Sequence, residues 1–175
     1  MNVGEKDYSA LVSKIKASAV TLVYFGGLYP EAGLLVREMR QQEVNATFMA
    51  SEGIATDEFA SIGGPAVVGT LMTFGPDLRN YPEAKAVIEK FRSNRFVPDA
   101  NALYSYAAVQ IIKQAAEAAR SIDPKNVAEK MHSGMNFKTV IGDISFDEKG
   151  DITRLGYVMY VWSKGRDGKI AYFEK

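Results

Sequence analysis

The sequence predicts an α/β fold, a parallel sheet with flanking helices that ends in an antiparallel hairpin region. Three observations point to it. Residues 19–25 (AVTLVYF) form an unbroken apolar and β-branched run that stops at Gly26-Gly27, as expected of a strand buried on both faces of a parallel sheet. Further β-rich runs at 46–50 and 66–74 are separated by segments of helical size, the signature of βαβ crossovers and hence of a doubly wound sheet. From residue 137 onward, short apolar runs alternate with Asp/Gly turn chemistry, which is hairpin patterning.

Taken in order, residues 6–17 place Tyr8, Leu11, Val12 and Ile15 at helical spacing, with Lys14 and Lys16 on the outer side. The strand at 19–25 is next. Pro30 suits the first turn of the helix after it, where its missing N–H costs nothing, and Leu34, Leu35, Val36 and Met39 supply the apolar stripe through Arg40. Then come the strand at 46–50, a loop at Ser51-Glu52-Gly53, a short helix near 57–62 and the strand at 66–74. After Pro82 the pattern is helical at 83–95, 101–120 and 124–131, and Pro98 disfavours the α conformation at Val97. The helix at 101–120 is apolar on much of its circumference and so calls for partners on more than one side. Strands are expected at Val140-Ile141, Ile144 to Phe146, 157–162 and 169–172, with turns at 147–151 and 164–168.

Composition narrows the function. The 175 residues carry 21 Lys+Arg against 21 Asp+Glu, a formal net charge of zero, so a basic nucleic-acid binder is not expected. At 47% hydrophobic and 24% charged the chain can bury a real core. The absence of cysteine removes disulfides, thiolate nucleophiles and cysteine-based metal sites together. The single histidine, His132, leaves no evident nucleophile, base and orienting group, and its plain role is a surface position near a helix C-terminus. Neither an enzyme nor a metal or cofactor protein is expected. No segment is apolar and long enough to span a bilayer, and the N-terminus has no apolar core of an export signal.

Open α/β sheets bind ligands beyond the carboxyl ends of their strands, which singles out the turn at Gly26-Gly27. Neither GxGxxG nor GxxxxGK[ST] is present, so dinucleotide and P-loop chemistry fail on spacing, and a tight strand-to-helix turn explains the glycines equally well. Glu52 comes just after the next strand. It can hold a ligand ammonium beside that turn or serve as a solvated loop acid. The acidic cluster 147–151 lacks the full calcium-loop pattern and fits a turn. Tyr104, Tyr106, Tyr157, Tyr160 and Trp162 form either an aromatic wall or part of the core and sheet faces.

The stretches NVGEKDYSALVSKIK, VYFGGLYPEAG, FMASEGI, YSYAAVQ and VIGDISFDEKGD resemble, in order and spacing, the C-terminal part of bacterial periplasmic leucine/isoleucine/valine-binding proteins. These are type I solute-binding proteins of ABC transporters, non-enzymatic and without a cofactor. The resemblance implies two α/β lobes that close on an amino acid like a hinged clamp. It implies that residues 1–95 continue the second lobe, that 96–136 form a helical crossover packing on the first, and that 137–175 return to the second. The first lobe, with the groups for the ligand's carboxylate, would lie outside this sequence.

By position, Glu52 matches the acid that binds the ligand's α-ammonium. Leu28 stands where leucine-binding members place a tyrosine beside the ligand, and Asn101 stands where some place an aromatic contact. Both departures imply an altered pocket. Tyr29 either offers a ring nearby or points into the lobe, and Gly27 belongs to the same turn. The implied partners are a small amino acid or related amino-carboxylate and an ABC permease, with a periplasmic location for the full-length protein. Taken alone, the chain is expected to self-associate into a homo-oligomer, by exchange of the helices at 99–135, because exposed sheet edges and an unpartnered apolar helix seek cover. The alternative from another class is a ligand-sensing domain of a regulator or receptor on the same fold.

Overall fold

The computed structural model describes residues 6–153 and 156–175. They divide into two compact units, one running up to Gly75 and resuming with Tyr157–Lys175, the other spanning Pro76–Gly156. The first contains α1 (Ser9–Ala17), β1 (Leu22–Phe25), α2 (Tyr29–Gln41), β2 (Thr47–Ala50), α3 (Asp57–Gly63), β3 (Leu71–Phe74) and, after the excursion into the second, β6 (Val158–Lys164) and β7 (Ile170–Glu174). The second contains α4 (Lys85–Ser93), α5 (Ala100–Ala119), α6 (Pro124–Met131), β4 (Phe137–Thr139) and β5 (Gly142–Ile144).

In the first unit five strands form one sheet in the order β1-β2-β3-β6-β7. β1, β2 and β3 run parallel, while β6 and β7 join antiparallel, so the sheet is mixed and the expected C-terminal hairpin is its far edge. Paired residues share a face. The register Phe25↔Ala50, Ala50↔Met72, Met72↔Tyr160 and Trp162↔Tyr172 therefore lines up one side of the sheet. That side is the core: Phe48, Ala50, Met72, Tyr160 and Trp162 are buried, together with Leu35, Val36 and Met39 of α2 and Phe59 of α3. Phe59 meets Trp162 edge-on with ring centroids 5.1 Å apart, and Tyr172 closes on the same indole at 5.2 Å.

The other side departs from expectation. Residues 19–25 were expected to lie between two covering layers, yet β1 is an edge strand, and Leu22 and Tyr24 are 48% and 59% exposed. An apolar run reports that a strand suits burial, not that a layer is present to bury it. The strand is also shorter than the run, because Ala19 has φ +48°, outside the β region. At 66–74 the same happens: Gly64–Val67 is a 3-10 turn and Gly69 sits at φ +87°, so β3 begins only at Leu71.

In the second unit, Asp99 and Asp123 cap α5 and α6 by accepting backbone N–H groups from Ala102 and from Lys125 and Asn126. The α5 residues Leu103, Ala107, Ile111 and Ala115 pack with Ile88 of α4 and Val127 of α6, while Val109 and Ile112 stay exposed. The β4–β5 hairpin is tied to α5 by two glutamines. Gln110 accepts from Val140 N–H, and Gln114 both accepts from and donates to the backbone of Lys138. Val140-Ile141, expected as a strand, is the hairpin's turn; both are buried, so their apolar character serves the core rather than a ladder. Burial alone would raise the Asp77 carboxyl, but hydrogen bonds from the side chain and backbone of Arg79, with its charge, hold it below the usual carboxylate range. Among the described residues no helix is long and apolar enough to cross a membrane.

Trp162 is the chain's single tryptophan, so its emission reports on the first unit alone. Phe59→Ala opens a cavity against the indole and is expected to cost about 3–5 kcal/mol. A urea titration monitored by Trp162 fluorescence should show the midpoint falling accordingly; an unchanged midpoint contradicts this packing.

Candidate functional site

Because β1 and β2 are parallel and Phe25 is level with Ala50, the two chains leave the sheet side by side at the same end. The chain leaving β1 passes through Gly26-Gly27-Leu28 and enters α2. Leu28 is the residue before the helix, extended at φ −102°, ψ 166°, and its carbonyl accepts the N–H of Ala32 at 3.1 Å. Pro30, in the first turn, needs no hydrogen-bond acceptor there. This geometry turns the Leu28 side chain away from the core, leaving it 63% exposed. Tyr29, the first helical residue, is half-buried.

The chain leaving β2 makes a 3-10 turn, Glu52–Ile54, closed by Ala55 N–H donating to the Glu52 carbonyl at 2.9 Å. Ile54 and Ala55 are buried and anchor the turn from below. Glu52 faces out. Among the described residues its carboxylate has no hydrogen-bond or ion-pair partner. The two loops touch at Gly53, where an added Cβ would fall closer than 3.0 Å to the carbonyl oxygen of Gly27 and 3.3 Å from Leu28 Cδ2. Gly27 in turn covers the Phe25 ring, whose Cζ would lie 2.5 Å from a Cβ at position 27.

The structure thus brings Gly27, Leu28, Tyr29 and Glu52 together at one end of the first unit. Asn101 lies in the other unit, exposed in the first turn of α5. Gly53 was missed as more than a loop residue, because no spacing in the sequence reveals which backbone passes over it. An exposed carboxylate and an exposed apolar side chain on two touching loops at strand ends can hold a ligand with a cationic head and an apolar body.

Other features take structural roles. His132 is the exposed residue capping the C-terminus of α6. The Asp147 carboxylate accepts N–H groups from Lys149 and Asp151 within its own turn, where Gly150 has φ +88°. Among the described residues no group of three or more acidic, His or Cys side chains is placed to hold a metal ion. Tyr160 and Trp162 belong to the core, Tyr104 donates to the Pro76 carbonyl, Tyr106 packs on Phe91, and Tyr157 is exposed.

Known proteins are similar to this chain in sequence and in fold. Residues 1–167 match the family described as periplasmic binding protein. The Leu/Ile/Val-binding protein homolog 1 of Brucella suis is 55% identical over all 175 residues, which cover 47% of that relative. An amino acid binding protein of Pseudomonas aeruginosa is 50% identical over 166 residues, 93% of this chain and 44% of the relative. Among solved structures, a leucine binding protein from Thermotoga maritima superposes with a TM-score of 0.83 at 28% identity, over 99% of this chain and 49% of that one. The chain spans about half the length of the relatives it matches.

Since Leu28 is mostly solvent-facing, its truncation to Ala is expected to change stability by less than about 0.5 kcal/mol. Chemical unfolding monitored by Trp162 emission checks this; a loss above about 1.5 kcal/mol, approaching that of core truncations, would assign Leu28 to packing instead.

Proposed function

Because the chain belongs to the periplasmic binding protein family, we propose that it forms part of the solute receptor of an ABC-type importer and that the receptor binds branched-chain or related amino acids. Glu52 holds the ligand's α-ammonium, Leu28 shapes the pocket for its side chain, and Gly27 and Tyr29 complete that wall. Groups for the carboxylate come from a lobe outside this sequence, so the chain by itself binds weakly or not at all. No step in this role needs a catalytic group or a cofactor.

The observation that supports this reading most is the exposed Glu52 carboxylate, without a hydrogen-bond or ion-pair partner among the described residues, on a turn that meets the Gly27-Leu28 loop at the ends of two parallel strands. A charge-assisted hydrogen bond in a closing, water-poor cleft fixes the orientation of an amino acid. Leu28 in place of a tyrosine makes that wall more apolar and less bulky, which gives the ligand's side chain a wider and drier pocket. In the whole receptor the helices of 96–136 pack on the first lobe, a contact to which the exposed Val109 and Ile112 of α5 are suited. The full-length receptor works in the periplasm and delivers its ligand to an ABC permease.

In the full-length protein carrying this sequence, Glu52→Gln is expected to weaken L-leucine binding by about ten- to a hundredfold, the worth of a hydrogen bond to a charged group. Calorimetric affinities equal for the two proteins would contradict the assignment. For the chain on its own, light scattering is expected to give a dimer or larger oligomer at micromolar concentration, by exchange of the helices at 99–135 between copies. A monomer that persists at higher concentration would contradict that.

A further inference from the structure

The 3-10 turn Glu52–Ile54 is held from both sides. Below it, Ile54 and Ala55 are fully or nearly fully buried, so the turn cannot sink or slide along the sheet without opening the core. Above it, the Gly53 backbone lies directly on the Gly27 carbonyl, at a separation that no side chain could share. The obstructing atom is main chain, part of the short link between β1 and α2. It cannot rotate aside as the end of a flexible side chain does. Gly53 has no positive φ, so its need for glycine is one of space and not of backbone conformation.

Glu52 is the residue immediately before this contact, and Leu28 comes directly after the carbonyl that receives it. We infer that Gly53 is a positioning residue for the ammonium site: by letting the two strand-end loops touch backbone to backbone, it sets the distance between the Glu52 carboxylate and the apolar wall at Leu28. The inference rests on the proposed role of Glu52 and deepens it. With Ile54 pinned, a methyl at position 53 must lift the Gly27-Leu28 link or tilt Glu52 off the site. Either movement separates the charge from the apolar wall by a fraction of an ångström or more, and hydrogen-bond energy falls steeply with such misplacement. Selectivity for the ammonium group should suffer more than binding in general.

The test compares L-leucine with its 2-hydroxy analogue, which replaces the ammonium by a neutral hydroxyl. Both affinities are measured by calorimetry on the full-length protein, unaltered and as Glu52→Gln, Gly53→Ala and the double variant Gly53→Ala/Ile54→Val. The ratio of the two affinities does not depend on the folded fraction, so a merely destabilising change leaves it alone. Glu52→Gln should reduce the preference for leucine by about tenfold or more, and Gly53→Ala should reduce it by a comparable factor while Glu52 is still present. Ile54→Val loosens the anchor beneath the turn and should restore part of the preference; if Gly53→Ala alone does not fold, this double variant is compared with the unaltered protein in its place and should still fall short of it. A preference lost in Glu52→Gln but intact in the Gly53 variants overturns the positioning role alone. A preference unchanged in Glu52→Gln overturns the ammonium site itself and the inference with it.

Discussion

Parallel pairing of β1 with β2 is the constraint on which the candidate site depends. Two antiparallel neighbours would release their outgoing chains at opposite ends of the sheet, whereas the register that sets Phe25 beside Ala50 releases both at one end. Each outgoing chain then has a few residues in which to turn. After β1 the turn is made by two glycines and the start of α2, and after β2 by a 3-10 turn pinned through Ile54. Their contact at Gly53 leaves Glu52 and Leu28 on two touching loops, both exposed. The site is therefore a product of strand direction and of one missing side chain.

The same sheet explains the uneven burial. On the core side, aromatic and aliphatic residues of the five-stranded sheet meet α2 and α3, and Trp162 is enclosed by Phe59 and Tyr172. On the opposite side Leu22, Tyr24 and Phe173 keep about half their surface. The hydrophobic contribution of this unit accordingly comes mainly from one layer contact. In the second unit Phe137, Val140, Ile141 and Ile144 of the β4–β5 hairpin share the apolar cluster of α5, and Gln110 and Gln114 also satisfy the hairpin's backbone from that helix, so a short hairpin is held by a long helix.

Much of this was legible in the sequence. Helix α2 was marked by periodic apolar residues and by Pro30 in its first turn, and α5 by a segment apolar on much of its circumference, signals that are local and so survive without knowledge of the fold. The order of strands and helices could be read from their lengths, and the resemblance placed Glu52 and Leu28 at strand ends. Three things were not legible for a common reason: each depends on what another part of the chain does. Leu22 and Tyr24 have the composition of a two-sided strand, but only the tertiary arrangement decides whether a second layer lies there. Val140-Ile141 has strand character, yet both residues enter the apolar cluster of α5 as a turn, with Val140 N–H donating to Gln110 and Ile141 N–H to the Thr139 hydroxyl. Gly53 is an ordinary loop glycine until Gly27 is laid across it.

If the parallel strand ends of the first unit form the ammonium end of an amino-acid site, a crystal structure of the full-length protein with L-leucine bound tests it most directly. The ligand's nitrogen is then expected within hydrogen-bonding distance, about 2.7–3.2 Å, of a Glu52 carboxylate oxygen, with Leu28 against the ligand's side chain. Leucine bound elsewhere, or bound here with its nitrogen directed away from Glu52, would contradict it.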